Sequence, residues 1–267
     1  MSAPYHPVAV PSTGTLDAHR GAPLVRGLSI VLPAHDEAET ISAVVRSALA
    51  VGASCAETCE VLVVDDGSRD GTAELAAELA REDARVRVVT HPTNLGYGAA
   101  LRSGFGHAQH EWIFYTDSDG QFDLAELPAL LGMLGRFDVV TGYRADRRDG
   151  RLRYAFGRTF SAAVNTLLGV HVRDVNCAFK VYPRSLFEGV TLHATGALID
   201  AEMLGTARLA GLRVGELPVT HRPRVAGLQS GARVDVIGRA VLEFVALLGR
   251  QLASRRARAA ALAPPLP

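Results

Sequence analysis

The chain has 267 residues, enough for one large α/β domain with appended elements, and its 48% hydrophobic and 21% charged residues exclude a disordered polypeptide. Lys plus Arg number 28 and Asp plus Glu number 28, so no overall field draws the protein to nucleic acid and any affinity for anions must be local. Three cysteines, Cys55, Cys59 and Cys177, form neither a disulfide framework nor paired zinc-ligand spacing, and read as buried or idle thiols in a reducing cytosol.

Residues 1–26 mix Pro4, Pro7, Pro11, Gly14, Gly21 and Pro23 with polar side chains and are expected to form a disordered arm without a secretory signal. Leu28 to Leu32 then reads as a first strand. Ile41, Val44, Val45, Ala48 and Leu49 recur at helical spacing, so a helix is expected from Glu37 to Ala50. The unit repeats, with Val61 to Val64 as strand, Leu75, Ala76, Leu79 and Ala80 as a helix stripe, and Val86 to Val89 as the next strand. A helix from Tyr97 to about His107 and a strand from Trp112 to Tyr115 follow.

This alternation predicts a mostly parallel sheet with helices on both faces, whose ligands bind beyond the carboxyl ends of the strands. After a strand near Val139 to Gly142, residues 143–174 are rich in arginine and show no clear strand, and are read as a lid or acceptor-facing segment. In 233–254, Asp235, Arg239 and Glu243 oppose Val236, Ile237, Val241, Phe244, Val245 and Leu248, the pattern of an amphipathic helix with a basic end at Arg250, Arg255, Arg256 and Arg258. Packing on the main domain, contact with a second subunit and docking in a bilayer interface are all open for that face. Residues 255–267 read as a disordered tail, and no run reaches the ~18 apolar residues of a membrane span.

Asp117-Ser118-Asp119-Gly120-Gln121 leaves the fourth strand with two carboxylates and an amide oxygen on one turn. Such hard oxygen ligands suit Mg²⁺ or Mn²⁺, which keeps positions open for a diphosphate, although a solvated turn with Asp117 as a helix cap has the same spacing. Pro33-Ala34-His35-Asp36-Glu37 and Val64-Asp65-Asp66-Gly67-Ser68 leave the first two strands, where a carboxylate, Asp65 above all, can accept from a ribose hydroxyl or a base N–H. Asp66, Ser68 and Asp70 can equally be turn and cap residues. Asn94-Leu95-Gly96-Tyr97-Gly98 has Leu101 where a dinucleotide fingerprint needs Gly or Ala, so it reads as a tight turn, with Arg102 as a phosphate contact. Against a hydroxyl acceptor, Asp200 or Glu202 is the candidate general base, and both can instead open a helix. His171, His193 and His221 show no ligand pairing.

As an ordered set, Pro33 to Glu37, Val64 to Thr72, Asn94 to Gly104, Asp117 to Gln121 and Gly142-Tyr143-Arg144 resemble the inverting glycosyltransferase family 2, which has the Rossmann-like GT-A fold. The resemblance spans roughly residues 28 to 250. Within the family the chain is most similar to dolichol-phosphate mannosyltransferases and bacterial polyprenyl-phosphate glycosyltransferases. Arg158-Thr159-Phe160-Ser161 with Asn165, Asp174 to Lys180, and Arg224 to Ser230 carry that narrower likeness, the last with one additional residue before Ser230.

The resemblance implies a GT-A domain over 27–232. Asp117, Asp119 and Gln121 would hold Mg²⁺ or Mn²⁺ and the diphosphate, while Pro33, Ala34, Glu37, Asp65, Asp66 and Asn94 would surround the nucleoside. Arg144, Arg158 and Arg224 would handle phosphates, beside Arg102 as read from its own loop; Asp119, Arg158 and Arg224 would carry catalysis, with Glu202 as the base were the acceptor a hydroxyl. The expected reaction moves a sugar from GDP-mannose or a UDP-hexose to a polyprenyl or dolichyl phosphate. A hydroxyl acceptor on a metabolite or glycan, and a non-catalytic nucleotide-sugar-binding module, are the alternatives. The expected place is the cytoplasm, with peripheral contact to the membrane face through the terminal helix.

Overall fold

A computed structural model describes residues 23–145, 151–223, 244 and 246–250, with 151–157 as backbone only. The expected arm lies outside them up to residue 22, as do the tail, Arg224 to Ser230, and Asp235, Arg239 and Glu243.

Among the described residues the element order is β1 Val25–Ala34, α1 Ile41–Cys55, β2 Ala56–Asp65, α2 Thr72–Glu82, β3 Val86–Thr90, α3 Tyr97–His107 and β4 Trp112–Thr116. Then come α4 Leu127–Leu131, β5 Val139–Arg144, α5 Arg151–Leu168, β6 Phe179–Pro183, α6 Ile199–Leu209 and β7 Val214–Val219. The seven strands form one sheet in the order β3-β2-β1-β4-β6-β5-β7. β6 pairs antiparallel with both β4 and β5, while the other pairings are parallel.

The central strands are near-continuous apolar runs because both of their faces are covered. Ile30, Val31 and Leu32 of β1, Val61 to Val64 of β2 and Ile113 to Tyr115 of β4 are all fully buried. α1 buries Ile41, Val44, Val45, Ala48 and Cys55 at three- and four-residue intervals. It begins later than expected because Glu37 first closes a turn, its carbonyl accepting from the amides of Thr40 and Ile41. α3 lies directly on the sheet at Gly104, where a Cβ would sit 2.3 Å from Val31 Cγ1. Val25 and Arg26, assigned by sequence to the arm, instead open β1.

The arginine-rich segment 143–174, read from sequence as a lid or acceptor-facing segment, contains the 18-residue helix α5. Ser161, Val164 and Leu168 form its buried described face at three- and four-residue intervals. Asn165 then closes the exit, its amide donating to the Val172 carbonyl and its oxygen accepting from the Val172 amide. Near the other end of the chain, Leu247 is buried in the core, and Phe244 and Leu248 pack against it, Phe244 near Phe160 of α5. The described part of that apolar face therefore rests on the protein itself.

Candidate active site

Parallel register aligns the strand ends, with Ala34 opposite Asp65 and Asp65 opposite Thr90, so the loops after β1, β2, β3 and β4 open along one edge. Side chains stitch these loops together. Asp36, whose φ is 55°, accepts the Arg69 amide at Oδ1 and donates its own amide to Ser68 Oγ. The Glu37 and Ala38 amides donate to Thr72 Oγ1 and Asp70 Oδ2, so Ser68 and Asp70 serve as loop ties. Pro33 offers its carbonyl to the Ser118 hydroxyl at 2.8 Å, and Thr40 donates to the Ser118 carbonyl at 2.7 Å, which fixes the β4 turn to the β1 loop.

Two adjacent carboxylates in the β2 loop differ sharply. Asp65 Oδ1 accepts the Ser68 amide, while its Oδ2 is buried without a hydrogen-bond partner. A buried acceptor in that state costs free energy until a donor reaches it, so Asp65 is an open acceptor at this edge. Asp66, also assigned by sequence to the nucleotide, is already engaged. Its Oδ1 accepts the Leu95 amide at 2.9 Å and lies 2.7 Å from His91 Nδ1, and its Oδ2 accepts the Gly96 amide at 2.8 Å. His91 Nε2 lies 2.8 Å from Ser103 Oγ, which completes a Ser-His-Asp chain. Ser103 sits inside α3, whose amides are spent on the helix, so the chain lacks an oxyanion hole and acts as a brace for the β3 loop. Asn94 is exposed on that loop.

The turn after β4 holds Asp117, Asp119 and Gln121. Desolvation, then the like charge of Asp119, pushes the Asp117 carboxyl up to about 7, against the lowering pull of the Tyr97 hydroxyl and the Arg144 guanidinium. Asp119 is buried and accepts the Gln121 amide at 3.0 Å. Gln121 uses its side-chain nitrogen on the Arg222 carbonyl at 2.7 Å, which leaves its side-chain oxygen to offer. Among the described residues no three His, Cys, Asp or Glu side chains form a metal cage. A cation here would rest on Asp117 and Asp119 and complete its shell with ligand oxygens. The donor set fits, because the crowded negative charge that raises Asp117 is what a divalent ion relieves.

Four charged residues meet partners that sequence did not foresee. Arg102 donates to the Ala194 carbonyl, joining α3 to the segment before α6, where a phosphate contact was expected. Arg144 forms a two-pronged pair with Asp174, Nε to Oδ2 at 2.7 Å and Nη2 to Oδ1 at 2.9 Å. Glu202, expected as a catalytic base, is buried, and its Oε2 accepts the amides of His193 and Ala194 at 2.9 and 2.8 Å while Arg250 stands 3.4 Å from Oε1. Asp200 is likewise buried, 2.6 Å from Lys180 Nζ. Both carboxylates are thus already engaged by groups of the fold. Arg158 is exposed on α5, and Arg224 lies outside the described residues.

Sequence reading assigned no role to Lys180, Tyr115, His91 or Arg222. Lys180 left a trace, since a lysine inside the apolar run Phe179-Lys180-Val181-Tyr182 must find a buried acid. His91 and Arg222 left none, because their partners are remote in the chain.

The chain is 36% identical over 209 residues to the glycosyltransferase AglD of Haloferax volcanii, a match taking in 74% of this chain and 33% of AglD. It is 28% identical over 206 residues to the undecaprenyl-phosphate 4-deoxy-4-formamido-L-arabinose transferase of Salmonella dublin, covering 76% of this chain and 62% of that protein. With the dodecaprenyl-phosphate galacturonate synthase of Rhizobium johnstonii the identity is 31%, over 75% of this chain and 60% of that one. The chain thus matches less than two thirds of the length of each of these relatives. In three dimensions it resembles the glucosyl-3-phosphoglycerate synthase of Mycobacterium tuberculosis in complex with Mn²⁺ and UDP-glucose, with a TM-score of 0.62, 25% identity, and 85% and 79% of the two chains covered. The likeness in fold is to a GT-A enzyme, and the sheet edge described above is where that fold places its ligands. The pattern of glycosyl transferase family 2 matches residues 29–191, more than half of the sequence and every loop from β1 to β6, so the chain belongs to that family.

Proposed function

We propose that the protein transfers a sugar, with inversion, from a nucleotide diphosphate sugar to a polyprenyl phosphate, using Mg²⁺ or Mn²⁺. The observation that carries the acceptor reading is the engagement of both α6 carboxylates. Asp200 is held by Lys180, and Glu202 by the His193 and Ala194 amides, so neither is set to deprotonate a hydroxyl. A phosphate monoester arrives already ionised and needs no base. Two relatives named above act with undecaprenyl or dodecaprenyl phosphate, which supports the same acceptor class here.

On this reading the nucleoside sits over Pro33 and Ala34, with the unpartnered Asp65 Oδ2 taking a base or ribose donor. Asp117 and Asp119, with the Gln121 oxygen, would hold the cation, which offsets charge on the departing diphosphate when bound. Arg144, directed by Asp174, stands close enough to lower the Asp117 carboxyl and so faces the same diphosphate. Arg158 and Arg224 are assigned to the acceptor phosphate, as the resemblance implies. An acceptor oxygen attacks the anomeric carbon as the bond from that carbon to the diphosphate breaks, and the electron pair leaves with the nucleoside diphosphate.

The donor is assigned to the GDP-mannose or UDP-hexose class. A polyprenyl acceptor places the work at the cytoplasmic membrane face. No helix among the described residues is long and apolar enough to cross a membrane, which fits a peripheral seat. The test is incubation with Mn²⁺ or Mg²⁺, radiolabelled GDP-mannose or UDP-hexoses, and polyprenyl phosphate, followed by extraction of the lipid. Label in the lipid phase is the expected result. Folded protein that labels no lipid from any of these donors overturns the reading.

A further inference from the structure

β6 carries a lysine in the middle of the core. Lys180 has 0% exposure, and its Nζ donates to Asp200 Oδ1 at 2.6 Å, to the Tyr115 hydroxyl at 2.9 Å and to the Cys177 carbonyl. The Tyr115 hydroxyl donates in turn to Asp200 Oδ1. Three acceptors satisfy the three ammonium protons, and the triangle joins β4, β6 and α6.

Such a network is a poor source of stability. Withdrawing an ammonium and a carboxylate from water costs several kcal/mol each, and well-packed apolar residues of similar volume often do as well or better. What the charges supply is a single geometry, since a displaced partner leaves a buried charge unpaired.

The geometry is held at an informative place. Tyr115 precedes Asp117 by two residues, and strand alternation puts both on one face as β4 runs out into the turn. Asp200 also lies near enough for its charge to act on Asp117. We infer that Lys180 and Asp200 are positioning residues for the cation turn, gripping Tyr115 so that the end of β4 delivers Asp117 and Asp119 to the cation and diphosphate in one arrangement. This rests on the reading of Asp117 and Asp119 as cation ligands.

The test separates placement from stability. Lys180→Met alone strands the Asp200 carboxylate and lowers the melting temperature. The apolar triple variant Lys180→Met/Asp200→Leu/Tyr115→Phe regains a melting temperature close to wild type, because no buried charge is left unpaired and only the Cys177 carbonyl loses a donor. It nevertheless binds UDP or GDP in the presence of Mn²⁺ roughly tenfold to a hundredfold more weakly, the usual loss when the residues supporting a metal ligand are removed. Binding without Mn²⁺ is unchanged. A triple variant that recovers both melting temperature and Mn²⁺-dependent binding overturns the inference.

Tyr115→Phe, which loses one hydroxyl, serves where the triple variant does not fold. It weakens Mn²⁺-dependent nucleotide binding severalfold, and wild-type binding in this variant is equally fatal to the inference. Calorimetry on the unmodified protein isolates the underlying assumption. If Mn²⁺ tightens neither UDP nor GDP there, the cation reading fails first and takes this inference with it.

Discussion

The side-chain amide of Gln121 donates to the Arg222 carbonyl at 2.7 Å, and the Arg222 amide donates to the Gln121 carbonyl at 2.7 Å. The turn after β4 is thereby tied to the chain leaving β7. Phe122 and His221 bridge antiparallel beside it, and Arg222 pairs with Asp123 at 2.6 Å. The exposed ion pair contributes little to stability, whereas the backbone and amide bonds set the register of the two segments.

Gln121→Glu distinguishes a pure ligand from a ligand that is also a tie. A carboxylate is the stronger cation ligand, but it loses the N–H and sets an oxygen against the Arg222 carbonyl. Mn²⁺ affinity is expected to rise while kcat/KM falls about tenfold, or ~1.4 kcal/mol of transition-state stabilisation. Undiminished kcat/KM in this variant would show that the tie has no part in turnover.

Asp117 gives the cation site its own pH dependence. With its carboxyl near 7, the proton and the cation compete, so Mn²⁺ affinity measured by calorimetry climbs as pH rises to about 7 and then levels off. The cation-free fold has the opposite trend. Between about 3.8 and about 7 the folded protein holds a proton that the unfolded chain has released, so this residue's contribution to stability falls as pH rises through that window. Asp117→Asn should remove that component of the slope, and an Mn²⁺ affinity independent of pH in the unaltered protein would refute the assignment. Asp119→Ala should abolish turnover and keep the melting temperature close to that of the parent.

The first half of the fold was legible because its residues announce their neighbours. Val44, Val45 and Ala48 repeat at the helical period, and the apolar runs around Ile30, Val63 and Phe114 are too short and too β-branched or aromatic for buried helices. The reversal of β6 was not legible, since an apolar strand reads alike in either direction. Arg144 shows why the candidate site was only partly so. Its charge and its place at a strand end were visible, but its partner Asp174 is 30 residues away and is brought beside it by the chain folding around α5. The partners of Glu202 were hidden for the same reason, its carboxylate being met by backbone amides that no spacing rule identifies.

Gly98 is where α3 meets the segment before α6. Its amide donates to the Thr195 carbonyl at 2.8 Å, and a Cβ there would lie 2.3 Å from the Ala194 carbonyl oxygen. Backbone cannot yield as a side-chain tip can, so Gly98→Ala should cost about 1–3 kcal/mol. For a domain of this size that is a fall of roughly 2–12 °C in melting temperature. Nucleotide affinity should weaken with it, because Tyr97 and the β3 loop move together. Gly106→Ala, in the same helix with nothing within 4 Å of the added carbon, is the control and should raise the midpoint slightly. Equal effects of the two substitutions would argue against close approach as the cause.

Glu60 tests the opposite edge of the sheet, away from the chemistry. Its Oε1 accepts from the Ser29 hydroxyl at 2.6 Å and the Gln109 amide at 2.7 Å, and its Oε2 from Arg87 at 2.6 Å. Burial pushes this carboxyl up, but the bonds from Ser29, Arg87 and Gln109 together outweigh it and hold the group below its ordinary 4.5. A depressed carboxyl contributes stability that is complete above 4.5 and is lost as pH falls through the folded value. Glu60→Gln keeps the shape but faces donors on both sides, so its amide nitrogen opposes one of them in either orientation. The expected cost is about 1–3 kcal/mol at neutral pH, shrinking as the medium is acidified below 4.5, with kcat unaltered below the melting transition. Thermal midpoints of both proteins across that range decide the matter, since parallel curves would mean that Glu60 is not ionised in the fold.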